Sequence, residues 1–479
     1  MSTSPFVPAT WSFYELFQGF VHAPSYHLIF EVLLIVWIIR LVFFAKSYNP
    51  LEHIALTAQE KEELVAEWTP DPLVPYTPPE CPGLQALENV VVSGKVGKYV
   101  VVNGKRCLNM ASLNFLNLIG SPEIEEVAVK SVMKYGVGSC GPRGFYGTVD
   151  VHLKLEEQIA KFMNVEEAAL YAYNFATIAS AIPSYSKRGD IIFCDEGVCF
   201  AIQKGLQASR SQLKYFKHND MDDLEDLLVK QQEIDKKDVK KAKTIRRFLV
   251  VEGLYMNYGD ICPLSKLVEL KYKYKVRLFI DETMSFGVLG DHGRGVTEHF
   301  NIPVSDIDLI TASLENSIGS VGGVCLGTKY VVDHQRLSGL GYCFSASLPP
   351  MLAAAASAAL KIMENEPNRL KRLRTMCEKV HNEFSKLQGL KISQQMLSAI
   401  FHLRLAAPSG DRIHDQSLLQ TIVDKARDDG IALTIARYLE KDEIFLPPPS
   451  IRIAVNCDIT DAEIKQASSV LQKLCEATL

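Results

Sequence analysis

The sequence predicts an α/β protein with a mostly parallel sheet, preceded by one membrane-spanning helix. From residue 84 onward, short β-branched or aromatic runs alternate with longer amphipathic runs, which is the βαβ rhythm of a parallel sheet covered by helices. A long apolar segment near the N-terminus lies outside this rhythm. The 479 residues exceed one ordinary domain, so we expect a large fold with one or two smaller parts.

The strands of the predicted main sheet are short and apolar, and they cover residues 168–173, 191–194, 247–251, 277–280 and 309–312. Amphipathic spacing predicts helices at 122–135, 152–163, 221–232 and 264–274. An alanine-rich helix at 351–364 leads into a second α+β part, with strands predicted at 390–392, 400–405 and 451–455. We therefore expect a large domain over residues 85–345 and a small C-terminal domain over 346–479.

Composition excludes some functions. The formal net charge of −5 and the pI near 6.2 argue against a nucleic-acid-binding protein, because such domains usually carry a basic excess. The eleven cysteines form no CxxC pairs and no matching Cys/His array. The sequence therefore indicates neither a metal site nor a disulfide scaffold, and we expect reduced thiols in a cytosolic body.

Residues 28–45 are apolar except for Glu31 and Arg40. Eighteen residues at about 1.5 Å each span about 27 Å as a helix, which is close to one bilayer core. The alternative is a buried helix of the soluble body, but the segment lies outside the α/β pattern and a linker follows it. We interpret it as a single transmembrane helix.

Basic residues predict how this helix is oriented. No Lys or Arg precedes Arg40, whereas Lys46, Lys61 and others follow, so the positive-inside rule places the body in the cytosol. Residues 1–27 are then lumenal, and their aromatic spacing favours a short interfacial helix or packing against a membrane partner. Residues 46–84 form a predicted linker, with a short solvated helix capped by Thr57 and six prolines between positions 70 and 82.

Several motifs occur in a fixed order along the body. They include GVGSCGPRGFYGT at 136–148, IDETMSFGVLG at 280–290, DLITASLENSIGSVGG at 308–323 and FSASLPP at 344–350. In order and spacing they resemble the α-oxoamine synthases, pyridoxal phosphate (PLP) enzymes of the type I aminotransferase fold that condense an amino acid with an acyl-CoA. The resemblance covers roughly residues 85–475, so it implies the PLP-dependent transferase fold for the whole body.

The resemblance also implies a cofactor lysine, and this chain has Asn316 in its place. An asparagine amide is neither nucleophilic nor basic enough to form the Schiff base. Two family histidines fall at Cys199 and Met284. The family aspartate that pairs with the pyridine nitrogen is kept as Asp281, which we interpret as vestigial. We expect no catalytic residue in this chain's own pocket.

The membrane segment, the CGPRGFYGT loop and the missing lysine together resemble one subunit of the heterodimeric serine palmitoyltransferases within that family. The resemblance implies a second subunit that carries the lysine and binds PLP covalently. It implies a reaction in which L-serine and palmitoyl-CoA give 3-oxosphinganine, CO2 and CoA, at the endoplasmic reticulum membrane. Small membrane regulatory subunits are further implied partners.

In this fold each subunit lends residues to the other's site across the dimer interface. The resemblance implies that such residues are Arg143, Phe145, Tyr146, Ser345 and Ser347. Interface packing is expected of Cys140, Gly141, Pro142 and Gly144, with Cys140 buried. The alternatives are a tight structural loop and plain turn chemistry at the serines.

Arg452 matches the family arginine that grips the amino acid carboxylate, and we interpret it as a vestige or a salt-bridge residue. Two other functions stay open. One is a membrane-anchored regulatory scaffold that contributes nothing to a reaction centre. The other is an active homodimeric α-oxoamine synthase that uses a different base.

Overall fold

The computed structural model describes residues 24–44, 57–70, 72–73, 90–393 and 395–479. The chain divides into two compact units, residues 1–79 and 80–479. The predicted interfacial helix before residue 24 and most of the proline-rich linker lie outside the described residues. The predicted division of the body at residue 345 stays a prediction.

The N-terminal unit contains two described helices. Helix α1, Ser25–Ile39, continues as a π-helical turn over Arg40–Phe44. The span Ser25–Phe43 is long and apolar enough to cross a membrane by length and composition, and none of it is buried. The span begins three residues before residue 28, its predicted start. Ser25, Tyr26 and His27, which follow Pro24, are already helical.

Helix α2, Ala58–Glu67, is the predicted solvated helix of the linker. Thr57 Oγ1 accepts from the Glu60 N–H at 3.3 Å, and Glu60 Oε2 accepts from the Thr57 N–H at 2.8 Å. This reciprocal capping box satisfies two N–H groups that the helix itself leaves without partners. All of its residues are exposed, in keeping with the acidic sequence.

The second unit contains the described strands, which in chain order are β1 Val92–Ser93, β2 Tyr99–Val102, β3 Lys105–Asn109, β4 Glu167–Tyr171, β5 Ile191–Asp195, β6 Gln212–Phe216, β7 Arg247–Glu252, β8 Arg277–Asp281, β9 Leu309–Ser313, β10 Gly323–Gly327, β11 Leu390–Ile392, β12 Ile400–Leu405, β13 Ile431–Ala432, β14 Thr434–Ile435 and β15 Ile451–Ala454. Its helices are α3 Pro122–Tyr135, α4 Asp150–Met163, α5 Asn174–Tyr185, α6 Phe200–Ser209, α7 Met221–Lys237, α8 Val239–Ala242, α9 Leu264–Tyr274, α10 Val296–His299, α11 Lys329–Ser338, α12 Leu340–Cys343, α13 Pro350–Asn365, α14 Pro367–Phe384, α15 Arg412–Asp428 and α16 Asp461–Thr478.

The main sheet has seven strands in the order β4-β10-β9-β8-β7-β5-β6. The strands from β9 to β6 are parallel, and β10 is antiparallel to both of its neighbours. β5, β8 and β9 are almost entirely buried, so their continuous apolar sequences fit strands covered on both faces. The predicted mostly parallel sheet is confirmed.

Two strands of this sheet escaped the sequence prediction. β6 is an edge strand whose residues are mostly half-buried, and its sequence QLKYF lacks a clear apolar run. β10 has the short sequence GVCLG directly after a glycine-rich turn, which hides its strand character. Both strands are fixed by pairing with their neighbours rather than by local propensity.

Two four-stranded sheets complete the second unit. Their orders are β1-β2-β3-β13 and β11-β12-β15-β14. The second is antiparallel and includes all three strands predicted after residue 390. One apolar cluster joins the main sheet to this antiparallel sheet, since it contains Val250 as well as Ile400 and Ile453.

Candidate functional site

The candidate site lies at the carboxyl edge of the main sheet, where parallel α/β sheets commonly bind ligands. The last residues of β7 and β8, Glu252 and Asp281, are register partners, and Asp281 is in turn paired with Thr311 of β9. All three side chains are buried. Two carboxyl groups are therefore held next to each other in the interior, at the ends of adjacent strands.

Hydrogen bonds within the chain already engage Asp281. Its Oδ1 accepts from the Thr283 N–H at 3.1 Å, from Thr283 Oγ1 at 2.6 Å and from Thr311 Oγ1 at 3.0 Å. Burial raises the pKa of Asp281, while the bonds from Thr283 and Thr311 oppose that rise. The two threonines thus stabilise this carboxylate, and sequence reasoning did not identify either of them.

Asn316, at the position where the resemblance implies the cofactor lysine, is buried and faces the turn after β8. Its Nδ2 donates to the Thr283 carbonyl at 2.9 Å and to Met284 Sδ at 3.4 Å. Asn316 and Met284, two positions predicted to depart from the α-oxoamine synthase pattern, are therefore in direct contact. The amide closes this part of the pocket with a polar, uncharged contact.

Cys199, at the third such position, precedes helix α6. Its backbone N–H donates to Glu252 Oε1 at 2.5 Å, and the Met256 N–H donates to Glu252 Oε2 at 3.0 Å. Burial, with the nearby Glu252 and Asp281 carboxyls, raises the pKa of the Cys199 thiol well above its usual value. The thiol is therefore neutral at physiological pH.

Glu252 was also missed by the sequence prediction. Burial is the largest cause that raises the pKa of Glu252, and the charge of the neighbouring Asp281 is the next. Together they raise this pKa to about 8. The signal in the sequence was a single acidic residue directly after the apolar run FLVV of β7.

The pyridoxal phosphate implied by the resemblance does not fit these residues. Asn316 has no amine with which to form the covalent bond, and its amide is bonded to the Thr283 carbonyl. Lys329, the next lysine along the chain, lies at the start of α11 with its side chain 71% exposed and 3.9 Å from Glu167. It is part of the surface and does not replace the missing amine.

Arg143 of the glycine-rich loop forms a buried ion pair within the chain. Its two terminal nitrogens donate to Glu156 Oε1 at 2.7 Å and Oε2 at 3.0 Å, and Nε donates to Thr148 Oγ1 at 3.0 Å. The side chains of Arg143 and Glu156 are only 4% and 7% exposed. The cation expected to reach a partner's carboxylate or phosphate is thus engaged by α4 of its own chain, and its role across the interface stays a prediction.

Close backbone approaches explain the glycines of this loop. A Cβ at Gly147 would overlap the Gly141 carbonyl oxygen, and one at Gly141 would lie 2.7 Å from the Phe145 oxygen. Gly144 has no neighbour within 4 Å of such a Cβ. Ser347 holds the loop from the other side, because its N–H donates to the Gly141 carbonyl at 2.9 Å and its hydroxyl donates to the Gly147 carbonyl.

The tip of the loop presents two aromatic side chains to solvent. Phe145 is 69% exposed and Tyr146 is fully exposed, with a left-handed backbone at φ 63°. A non-glycine residue rarely adopts this conformation, so the loop holds Tyr146 outward at some cost in strain. Of the residues predicted to reach the partner's site, these two are the most accessible.

Cys140 and Ser345 are two further residues predicted at the interface. Cys140 is exposed in this chain and has a left-handed backbone at φ 58°. Its burial near a partner interface stays a prediction. Ser345 is half-buried and its hydroxyl donates to the Gly341 carbonyl, so it is bonded within its own turn. Pro142 directly precedes Arg143–Gly147, the π-helical turn within the glycine-rich loop.

A second buried polar network lies at the end of β5. The His218 ring is hydrogen bonded to Asp195 at 2.8 Å and to Asp260 at 3.0 Å, and it stacks on Tyr258 with 4.0 Å between ring centroids. Burial lowers the pKa of His218, but the bonds to the two carboxylates outweigh it and raise the pKa to about 9. The ring is therefore a cation at neutral pH, held between two acids.

Arg452 lies on β15 opposite His402. Burial lowers the pKa of Arg452, one terminal nitrogen donates to the Ala111 carbonyl at 3.4 Å, and Nε has no partner among the described residues. No carboxylate pairs with it in the part of the chain that the structure covers, so the predicted salt bridge is not formed there.

A metal-binding group of three or more His, Cys, Asp or Glu is not found among the residues described.

Comparison with known proteins agrees with this geometry. The family model for aminotransferase class I and II matches residues 105–471. Serine palmitoyltransferase 1 of Dictyostelium discoideum is 44% identical over 462 residues, covering 95% of this chain and 94% of that protein. The chain belongs to the serine palmitoyltransferase 1 family. Members from Arabidopsis thaliana, named long chain base biosynthesis protein 1, and from Saccharomyces cerevisiae are 40% and 34% identical, over 92% and 88% of this chain and 90% and 83% of theirs.

Solved structures show that this chain has the PLP-dependent transferase fold. Serine palmitoyltransferase of Sphingomonas wittichii superposes with a TM-score of 0.73 at 22% identity, covering 88% of this chain and 96% of that one. An 8-amino-7-oxononanoate synthase from Francisella tularensis superposes with a TM-score of 0.62 at 24% identity, over 77% of this chain and 98% of that one. The predicted fold is confirmed.

Proposed function

We propose that this chain is a non-catalytic but required subunit of a heterodimeric serine palmitoyltransferase of the endoplasmic reticulum membrane. In this proposal the complex condenses L-serine with palmitoyl-CoA to 3-oxosphinganine, CO2 and CoA, in the first step of sphingolipid synthesis. The lysine-bearing subunit 2 holds pyridoxal phosphate covalently and performs the chemistry. This chain stabilises the partner's fold and shapes the shared cleft.

One observation carries the non-catalytic part of the proposal. Asn316 is buried and bonded to Thr283 and Met284, at the position where the resemblance implies the cofactor lysine. The required part is supported by the loop between Gly141 and Gly147. It is held rigidly by Ser347 from within, yet it keeps Phe145 and Tyr146 exposed.

The membrane part rests on α1 and on the basic residues that follow it. The proposed topology is a single pass with residues before Ser25 in the lumen and the body in the cytosol. Small membrane regulatory subunits are proposed as further partners of the complex.

Expression of this chain alone and together with its lysine-bearing partner tests the proposal. We expect no condensation of L-serine with palmitoyl-CoA from the chain alone, none from the partner alone, and full activity from the pair. Condensation together with a cofactor absorbance band from the chain alone would refute the proposal, and it would favour an active homodimer that uses another base.

A membrane-anchored regulatory scaffold is the second candidate. The intrachain bonding of Arg143 and Ser345 favours it, because both residues then need no partner to explain them. Exposed Tyr146 separates the two candidates. Loss of turnover on its substitution in an intact complex supports a contribution to the shared site, and unchanged turnover supports the scaffold.

A further inference from the structure

A cavity of about 630 Å³ lies between the loop after β7 and the sheet that contains β11 and β12. It is lined by Tyr258 and Asp260 from that loop, by Lys391 of β11 and by Arg404 of β12. None of the residues around Asn316 contributes to it. Its size falls within the range of small-molecule sites, which is about 300–1,000 Å³.

Two cations face each other across this part of the sheet. Lys391 and Arg404 are register partners on the antiparallel strands β11 and β12, so their side chains project from the same face. Like charges directly opposite each other destabilise a sheet. An anion between them would turn this repulsion into two attractive contacts.

Arg404 has donors without acceptors. Its Nε and one terminal nitrogen are buried and have no hydrogen-bond partner among the described residues. The guanidinium lies over the Tyr258 ring at 5.2 Å, which stabilises its charge but accepts no hydrogen bond from these two nitrogens. An unpaired donor in the interior costs free energy, so the arrangement is incomplete without an acceptor.

The acids in the cavity are already engaged by other groups. Asp260 is paired with the His218 cation at 3.0 Å, and Asp415 accepts from the Ser409 N–H at 3.0 Å and hydroxyl at 2.7 Å. Neither carboxylate forms an ion pair with Lys391 or Arg404 in the described structure. The positive charge of the two cations therefore remains available to a ligand.

We propose that this cavity binds a phosphoryl group, either free or carried by a small molecule, with Arg404 and Lys391 as its cations. Nε and a terminal nitrogen form the side-on fork of a guanidinium, which matches two oxygens of a phosphate. Lys391 adds a second point charge at the exposed rim. The two free nitrogens lie beneath the cavity surface. Contact with the ligand therefore requires the guanidinium to turn outward. Pro408, Pro448 and Pro449 supply apolar walls for the body of a phosphorylated molecule.

Titration calorimetry on the purified complex of the full-length chain with its partner subunit tests this site. Inorganic phosphate, ATP and coenzyme A are the probes, at constant ionic strength. Arg404→Gln is expected to weaken binding of the recognised probe about tenfold, since it removes a charge-assisted hydrogen bond. Preference for inorganic phosphate identifies a free anion, and preference for ATP or coenzyme A identifies a phosphorylated small molecule.

Two further variants control the experiment. Lys386→Gln removes the same charge from an exposed lysine that pairs with Glu383 and does not line the cavity, so its affinity should match the wild type. Lys391→Gln changes an exposed residue and should weaken binding of the probe about threefold. This variant tests the proposal if Arg404→Gln fails to fold. Absence of binding to the wild-type complex, or equal affinity in the Arg404, Lys391 and Lys386 variants, overturns the proposal. The partner's own affinity for the probes is common to all variants, and no result depends on condensation activity.

Discussion

Nδ2 of Asn316 lies 3.4 Å from Sδ of Met284, so the residue predicted to replace the cofactor lysine contacts a residue predicted to replace a family histidine. The same amide donates to the Thr283 carbonyl, and Thr283 also engages Asp281. Asn316, Met284, Thr283 and Asp281 are therefore parts of one hydrogen-bonded arrangement.

Restoration of the lysine alone should therefore not restore cofactor binding. In Asn316→Lys the new amine loses the amide contacts to Thr283 and Met284 and is buried without the family's histidines. We expect no adduct at position 316 when the isolated chain is incubated with pyridoxal phosphate, reduced with borohydride and mapped by mass spectrometry. The wild-type chain is the matched control, and an adduct at position 316 in the variant would show that the pocket is still competent.

The buried pair of Arg143 and Glu156 should matter mainly for stability. Arg143→Met leaves the Glu156 carboxylate buried without its cation, and we expect a loss of about 3–5 kcal/mol in the free energy of unfolding. Lys130→Met breaks the exposed pair with Glu126 and should cost about 1 kcal/mol or less. Urea unfolding of the detergent-purified chain measures both, and equal small losses would contradict a structural role for Arg143.

Tyr146→Ala, unlike Arg143→Met, should lower the activity of the complex rather than the stability of the chain. The side chain is fully exposed, so we expect the stability of the chain to change by no more than about 0.5 kcal/mol. Under the proposed function Tyr146 packs into the partner's cleft, so turnover of L-serine and palmitoyl-CoA by the complex should nevertheless fall by about tenfold or more. Tyr330→Ala, at another highly exposed tyrosine on α11, is the control that should leave turnover unchanged. Full activity of the Tyr146 variant in an intact complex would support the scaffold.

The His218 network predicts a pH dependence of stability. The pKa of His218 is raised to about 9 by Asp195 and Asp260 despite its burial, so the folded state favours the protonated ring. The resulting stabilisation is fully present below the usual pKa of about 6.5 and is lost as pH rises through 9, in total about 3 kcal/mol.

Urea unfolding between about pH 6 and about pH 9 measures this loss. His218→Gln should reduce the fall over that range by about 3 kcal/mol, while the part contributed by Glu252, whose pKa is also raised to about 8, should remain. His292→Gln, at an exposed histidine paired with Glu298, should retain the full fall. A wild-type unfolding free energy that does not fall between the two pH values would rule out the protonated network.

The fold was largely predictable because periodicity and motif order are local properties of the sequence. Buried strands such as β5 and β8 have apolar sequences that only a two-sided core explains. β6 and β10 form by pairing with neighbouring strands, and no local sequence pattern predicts them. That Asn316 stands where the family has its cofactor lysine stays a prediction from motif spacing.

Contacts between side chains were harder to predict from the sequence. Nothing in the spacing of Arg143 and Glu156, thirteen residues apart, shows that the glycine-rich loop folds back onto α4. The exposure of Cys140 depends on a left-handed backbone at a residue that is not glycine, which sequence patterns rarely indicate. Thr311 engages Asp281 only because β8 and β9 are adjacent in the sheet.

The central claim is that the chemistry belongs to a partner whose site this chain helps to complete. Borohydride reduction of the purified, active complex, followed by mass mapping of the cofactor adduct, tests it most directly. The account predicts that the adduct is found on one lysine of the partner subunit and on no peptide of this chain. An adduct on a lysine of this chain would contradict it.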